Sequence, residues 1–334
     1  MLIKDLSQGY CVLLCAHNGA DFLSAQLDSI VRQVVKPACV LFFDDGSADE
    51  TVAIALLFAE SLPLVFVQLP KRRQGAAGAF DAILNYAAGA DQGYEAYILC
   101  DQDDIWEPDK AVRLLDALGR APTGLPMLVH SELRCFGSAS AGRDYLHESL
   151  GHRIFESTPS KPLQTLLFEN VVVGASAAFN HSLLLRAVPM PLGVFMHDWW
   201  LAIVCVAHGG TLLYLREPLT SYRIHGNSTV GRSGNFLHAL PRRLQAIGKG
   251  LADPWLRSVR DQFLALPFGQ AGLPPEFFQP LLDEGLAVFS DPIRIKRYAA
   301  WRKLQQRRIW AVTSKDAYYK ARLFTDYVSY EAKV

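Results

Sequence analysis

The sequence has no excess charge of either sign: 33 Lys plus Arg stand against 33 Asp plus Glu in 334 residues. A balanced chain has no global attraction for polyanions, so no nucleic-acid partner is expected. Cysteine is sparse and scattered. The six residues (Cys11, Cys15, Cys39, Cys100, Cys135, Cys205) form no CxxC pair, which argues against a zinc cluster or a secreted disulfide framework and fits a reducing cytoplasm. The opening MLIKDLSQGY lacks the charged-then-apolar order of a signal peptide, so no export is expected. Long apolar runs are also missing. The nearest, Trp199 to Leu215, is interrupted by His208, Gly209 and Gly210 and adjoined by Asp198, so it reads as a buried helix, a turn and a strand. There is no internal repeat and no low-complexity tract.

What is present is an ordinary globular composition, half apolar and a fifth charged, long enough for one large or two smaller α/β domains. In the first hundred residues, short apolar runs alternate with helical patterns, the mark of βαβ units and a mostly parallel sheet flanked by helices. Strands are expected at Tyr10 to Cys15, Ala38 to Phe43, Leu64 to Leu69 and Ala96 to Cys100. Phe22, Leu23, Leu27, Ile30, Val31 and Val34 recur at helical spacing, with Asp21 as an expected N-cap. Further helices are expected from about Gly78 to Ala88 and from near Pro108, whose fixed φ suits a first turn. Beyond them, Met127 to Phe136 and Val171 to Phe179 read as strands, Trp199 to Ala207 as a helix and Thr211 to Leu215 as a strand. The expected boundary falls in the polar stretch Gly226 to Asn235, giving a catalytic domain of residues 1–230 and a helical C-terminal extension of residues 231–334. Asp291 to Arg322 in that extension carries ten Lys or Arg against two Asp, interleaved with Trp301, Trp310 and Tyr318.

In an open parallel sheet, ligands bind beyond the carboxyl ends of the strands. Three such ends are polar here: Ala16-His17-Asn18-Gly19, Asp44-Asp45-Gly46-Ser47 and Asp101-Gln102-Asp103-Asp104. Carboxylates gathered on one rim repel one another unless a cation compensates them. Mg²⁺ or Mn²⁺ is the simplest answer, because hard cations take oxygen ligands and are commonly held by one or two carboxylates plus substrate phosphates. DDGS can also be read as a plain turn in which Asp45 caps the next helix.

The runs CVLLCAHNGADFLSAQLDSI, VLFFDDGSADET and YILCDQDDIWEPDK, followed by MHDWWLAIV and EPLTSYRIHGNSTVG, resemble the inverting family 2 glycosyltransferases with the GT-A, Rossmann-like nucleotide-sugar fold. The resemblance spans roughly residues 8 to 231 and is closest in flavour to bacterial rhamnosyltransferase-like enzymes of surface polysaccharide synthesis. It implies a metal-dependent hexosyltransferase that uses a nucleotide-diphosphate sugar, with rhamnose the suggested sugar and a saccharide or lipid-linked acceptor. By the same resemblance, Ala16, His17, Asn18 and Asp44 or Asp45 would hold the base and ribose. Asp101 and Asp103 would form the DxD element, Asp101 near ribose and metal and Asp103 on the metal. Asp198 matches the catalytic base, while His225 and Arg223 match an element that meets the metal or the diphosphate. This chain carries Ala-His-Asn-Gly where the family often has Thr-Tyr-Asn-Gly, and Arg73-Gln74-Gly75 where it often has Asn-x-Gly. Gly75 still permits close backbone approach to the donor.

Several alternatives stay open on sequence alone. Asp198 is either the base, sharpened by desolvation beside Trp199 and Trp200, or an N-cap. His225 is a ligand or an ordinary loop histidine. Trp199 and Trp200 are core or a stacking platform for the acceptor. The basic extension is a solvated face or a surface for anionic lipid, the latter placing a cytoplasmic enzyme peripherally on the inner face of the membrane. A sugar-phosphate nucleotidyltransferase or a catalytically silent sugar-nucleotide-binding protein is the alternative function. The first would need a Gly-rich basic phosphate loop, which Asn18-Gly19-Ala20-Asp21 is not.

Overall fold

Tyr10–Ala16 is buried at every position, as a strand must be when helices cover both faces of its sheet. It is β1, the centre of the architecture. The computed structural model describes residues 9–70, 75–90, 93–137, 145–147 as backbone, 166, 170–192, 194 and 196–225. By chain contacts the protein divides into two compact units, one of Met1–Arg153, Asn170–Leu192 and Met196–Gly231, the other of Ile154–Glu169, Gly193–Phe195 and Arg232–Val334. Everything below concerns the first unit. The expected basic helical extension and the expected boundary region lie outside the described residues, as does Arg73.

In chain order the elements are β1, α1 (Ala20–Val31), β2 (Cys39–Asp44), α2 (Thr51–Leu57), β3 (Leu64–Phe66), α3 (Ala76–Gly89), β4 (Ala96–Cys100), β5 (Ile105–Trp106) and α4 (Lys110–Leu118). There follow β6 (Met127–Phe136), β7 (Tyr145–His147), a 3-10 turn (Gly174–Ser176), β8 (Ala177–Asn180), α5 (His181–Ala187), α6 (His197–Ala207) and β9 (Thr211–Arg223). The strands form one sheet in the order β3-β2-β1-β4-β8-β6-β9-β5, with β7 on β6. The first four pair in parallel. Strand β8 then runs antiparallel between β4 and β6, and β9 returns parallel to β6. The sheet is therefore a mixed α/β sheet flanked by helices, parallel over its first half.

Chain order reverses at β1, with β2 on one side and β4 on the other, and this is the switch point beyond whose strand ends ligands bind. Register places Ala16 beside Asp44 and Leu14 beside Cys100. The three polar loops therefore leave the sheet at one edge. Leu23, Leu27 and Ile30 of α1 and Ala111, Leu114 and Leu115 of α4 close the core over this half of the sheet.

Four local expectations differ from the structure, each for a tertiary reason. Asp21 does not cap α1: Gly19 is the cap position, and the free amides of Gly19 and Ala20 donate to Thr51 Oγ1 at 2.7 Å and Asp49 Oδ2 at 3.1 Å. Pro108 precedes α4, which begins at Lys110, and its carbonyl accepts from Val34 N–H. The expected strand over Val171 to Phe179 is extended only from Ala177, because Gly174–Ser176 forms a 3-10 turn. Strand β9 continues past Pro218 to Arg223, the ladder being irregular between Ser131 and Leu133 on β6, which is how an imide is accommodated in a strand.

Candidate active site

Three loops are knitted together at the carboxyl edge of the sheet. Gln102 grips the His17 backbone from both sides, its Oε1 accepting from His17 N–H at 2.7 Å and its Nε2 donating to the His17 carbonyl at 3.0 Å. A Cβ at Gly19 would fall 2.2 Å from Gln102 Oε1, so glycine there is a packing requirement. Asn18 adopts φ 48° and bridges to the next loop, donating through its backbone to Ser47 Oγ and accepting from Ala48 N–H at 2.8 Å. The His17 ring meets the Asp45 carbonyl at 3.0 Å.

Above this edge lies a cavity of about 730 Å³, within the range of small-ligand sites. Of the expected residues, Ala16, His17, Asn18, Asp45, Gly75, Asp101, Asp103, Asp198 and His225 line it. Asp44 and Arg223 do not. The Asp44 carboxylate closes its own turn, accepting from the amides of Gly46 and Ser47 and from the Ser47 hydroxyl. The turn reading of DDGS therefore holds for Asp44, and Asp45 caps no helix. The Arg223 guanidinium is drawn the other way: Nε donates to the Asp103 carbonyl at 2.8 Å, and the cation sits 5.0 and 4.5 Å from the ring centres of Phe22 and Phe136. It braces the acidic loop instead of facing the cavity.

Asp198 is the second residue of α6, not its cap, and only 4% exposed. Its Oδ1 accepts from Trp199 N–H at 2.7 Å and Asn170 Nδ2 at 3.1 Å, and its Oδ2 accepts from Gly174 N–H at 2.9 Å. Burial nonetheless outweighs these donors and pushes its carboxyl up to about 6. Such a carboxylate is more basic than an exposed one while still ionised at neutral pH. Trp199 and Trp200 are core, not a platform: both are buried, and Trp200 Nε1 donates to the Ala187 carbonyl at 2.8 Å.

Sequence reasoning passed over four residues that shape this wall. Asn170 and Gly174 hold Asp198, and Phe80 stacks on His197 with ring centres 3.7 Å apart at 16°. A Cβ on Gly174 would come within 2.7 Å of His197 Nε2, and Phe80 blocks the retreat of that ring. Gly174→Ala is expected to destabilise the fold by about 1–3 kcal/mol and to lower activity, because the amide that meets Asp198 must shift. Urea denaturation alongside a transfer assay checks this, and a variant equal to wild type in both contradicts it. Nothing in the sequence signals Asn170 or Gly174; His197 could have been noticed beside Asp198.

The acidic loop is electrostatically tense. Burial, then the charges of Asp103 and Asp198, pushes Asp101 up to about 7. Burial also raises Asp104 well above the usual carboxylate range, with Asp101 and Asp103 adding to it, although its Oδ1 accepts from Arg223 N–H. Asp103 Oδ2 meets His225 Nε2 at 2.7 Å. Among the described residues no three His, Cys, Asp or Glu side chains converge as a ready cage. A cation shared with substrate phosphates needs no third, because one or two carboxylates suffice for Mn²⁺ or Mg²⁺. Asp101 and Asp103, which line the cavity, are oxygen donors of that kind, with His225 beside them on Asp103.

The model of the family described as "Glycosyl transferase family 2" matches residues 11–130, which include all of β1 but its first residue, the acidic loop and the start of β6. The chain carries a family 2 glycosyltransferase domain. Among curated proteins, this chain is 24% identical over 216 residues to an uncharacterized glycosyltransferase of Nostoc sp., covering 64% of either chain. It is 24% identical over 232 residues to the dTDP-rhamnosyl transferase RfbG of Shigella flexneri, covering 67% of this chain and 75% of RfbG. Among solved structures, S. aureus TarS 1-349 in complex with UDP-GlcNAc superposes with TM-score 0.54 at 14% identity, over 94% of this chain and 79% of TarS. The mannosyltransferase PcManGT of Pyrobaculum calidifontis, in complex with GDP-Man and Mn²⁺, superposes with TM-score 0.52 at 18% identity, over 93% and 78%. These likenesses establish the GT-A fold for the glycosyltransferase domain.

Proposed function

We propose that this chain is a metal-dependent, inverting glycosyltransferase that moves a sugar from a nucleotide-diphosphate donor to a saccharide or lipid-linked acceptor, in the synthesis of cell-surface polysaccharide such as O-antigen. Rhamnose is the sugar we put first. One observation carries the reading: a buried carboxylate made basic by desolvation, Asp198, lines the same cavity as the paired acids Asp101 and Asp103. General base and leaving-group site are the two elements that a single displacement at C1 requires. RfbG, a dTDP-rhamnosyl transferase, supports the choice of rhamnose, and the GDP-Man and Mn²⁺ of PcManGT support a nucleotide sugar and a cation.

Asp198 would take the proton of the acceptor hydroxyl as its oxygen bonds to C1, the bond from C1 to the diphosphate oxygen breaking with inversion. Asn170 and the Gly174 amide keep the carboxylate oriented throughout. Asp101, Asp103 and His225 would hold Mn²⁺ or Mg²⁺, which supplies positive charge for the departing diphosphate. His17, Asn18 and Asp45, with the backbones of Ala16 and Gly75, would surround the nucleoside. Residues 1–230 would form the catalytic part. The basic sequence from residue 231 onward would contact anionic lipid on the inner face of the cytoplasmic membrane. Among the described residues no helix is long and apolar enough to cross a membrane.

A thermal-shift panel of dTDP, UDP and GDP with and without Mn²⁺ tests the donor class, since a ligand bound only by the folded state raises the melting temperature. A metal-dependent rise of several degrees, largest with dTDP, is the expected outcome. No rise with any nucleotide would count against the whole reading, and a larger rise with UDP or GDP against the rhamnose donor alone.

A further inference from the structure

Lys110 opens α4, yet its side chain is fully buried. A lysine at a helix start ordinarily turns to water, because a buried ammonium is unfavourable by several kcal/mol, order of magnitude, unless groups around it compensate. Here Nζ donates to the Ala175 carbonyl at 2.6 Å and lies 4.0 Å from the centre of the Trp106 ring. The same carbonyl accepts a second bond, from Thr220 Oγ1 at 3.2 Å. Ala175 is the middle residue of the 3-10 turn, and the amide that opens this turn, Gly174 N–H, is the one that reaches Asp198 Oδ2 at 2.9 Å. An unbroken series of bonds thus runs from the α4 ammonium through a carbonyl and one peptide unit to the Asp198 carboxylate. The ammonium also opposes the mutual repulsion of Asp101 and Asp104, offsetting part of the upward push that burial gives both carboxyls. It is absent from the cavity lining, so neither donor nor acceptor would touch it.

We propose that Lys110 is a positioning residue for Asp198: from beneath the cavity it pins the Ala175 carbonyl and so aims the Gly174 amide at the carboxylate. The proposal rests on the reading of Asp198 as the base. A residue of this kind acts on turnover and on the order of one turn, whereas a lysine that merely fills space acts on global stability alone. Methionine keeps the unbranched stem of lysine, one atom shorter, and deletes the charged donor together with its seat over the Trp106 ring, which makes Lys110→Met the informative change.

Lys110→Met is expected to lower kcat about 10–30-fold, the scale of one charge-assisted hydrogen bond, while the donor KM stays within about twofold. Amide hydrogen exchange at residues 174–176 should quicken about tenfold or more, with the strands β1 and β4 unchanged. Thr220→Val, which removes the neutral donor to the same carbonyl, should move both readouts in the same directions by about threefold. It carries the test if Lys110→Met does not fold. Unchanged exchange at 174–176, unchanged kcat, or a loss spread evenly over exchange in every strand would overturn the proposal. Failure of the underlying reading looks different: wild type would transfer no sugar, or Asp198→Asn would transfer it at full rate, whatever the exchange at 174–176 shows.

Discussion

Asp198→Asn is expected to lower kcat for sugar transfer by about a thousandfold and to leave the nucleotide-induced rise in melting temperature intact. The size follows from what is removed. The asparagine amide fills the same volume and can still accept one of the bonds from Trp199, Asn170 or Gly174, but it has no lone pair basic enough to take a hydroxyl proton. In the proposed site the nucleotide meets other residues, so the two measurements should separate. The same carboxyl should set the acid limb of the wild-type profile. Its pKa is raised to about 6, so the fraction ionised, and with it kcat, falls as pH drops through about 6 and is level above it. Burial, the largest cause, raises the limb, and the amides of Trp199 and Gly174 and the Asn170 side chain lower it. The Asn variant should lose the limb along with the rate. A variant that keeps wild-type turnover removes Asp198 from the chemistry.

Asp103→Asn has the second large effect, and it falls on the other half of the reaction. Here the Mn²⁺-dependent part of the nucleotide shift should disappear and kcat/KM fall by at least about 100-fold, since a cation on the leaving group supplies several kcal/mol of charge stabilisation. Chelation by EDTA should reproduce the loss in wild type, with Mn²⁺ restoring it, and should do little further harm to the variant. Because Asp103 pairs with His225 and its carbonyl holds Arg223, a melting curve without ligand is needed alongside. A variant that folds and still responds to Mn²⁺ as wild type does would show that the ion is held elsewhere.

Much of this arrangement was legible in the sequence because it follows from local chemistry. The apolar runs of β1, β2 and β4 stand out as strands, and parallel strands must send their carboxyl ends to one edge, so His17, Asp45 and Asp101 could be brought together on paper. The parts that were not legible depend on distant partners. Val171 to Phe179 has the composition of a strand, but Gly174 N–H goes to Asp198 and Asn170 folds back to Val172 N–H. Arg223 carries a charge that suits a diphosphate; two phenylalanines and the Asp103 carbonyl claim it first. Asp44 and Asp45 are neighbours of one type, and only the turn decides which carboxylate is consumed by local amides. Lys110 gave no sign of burial, since a lysine in EPDK beside two acids looks like any solvated helix start.

Diffraction from crystals soaked with Mn²⁺ and a dTDP sugar, recorded at the manganese absorption edge, tests the central claim most directly. An anomalous peak within coordination distance of Asp103 and His225, with the diphosphate beside it and the sugar facing Asp198, is the expected result. A peak away from the acidic loop, or a nucleotide bound outside the cavity, would contradict it.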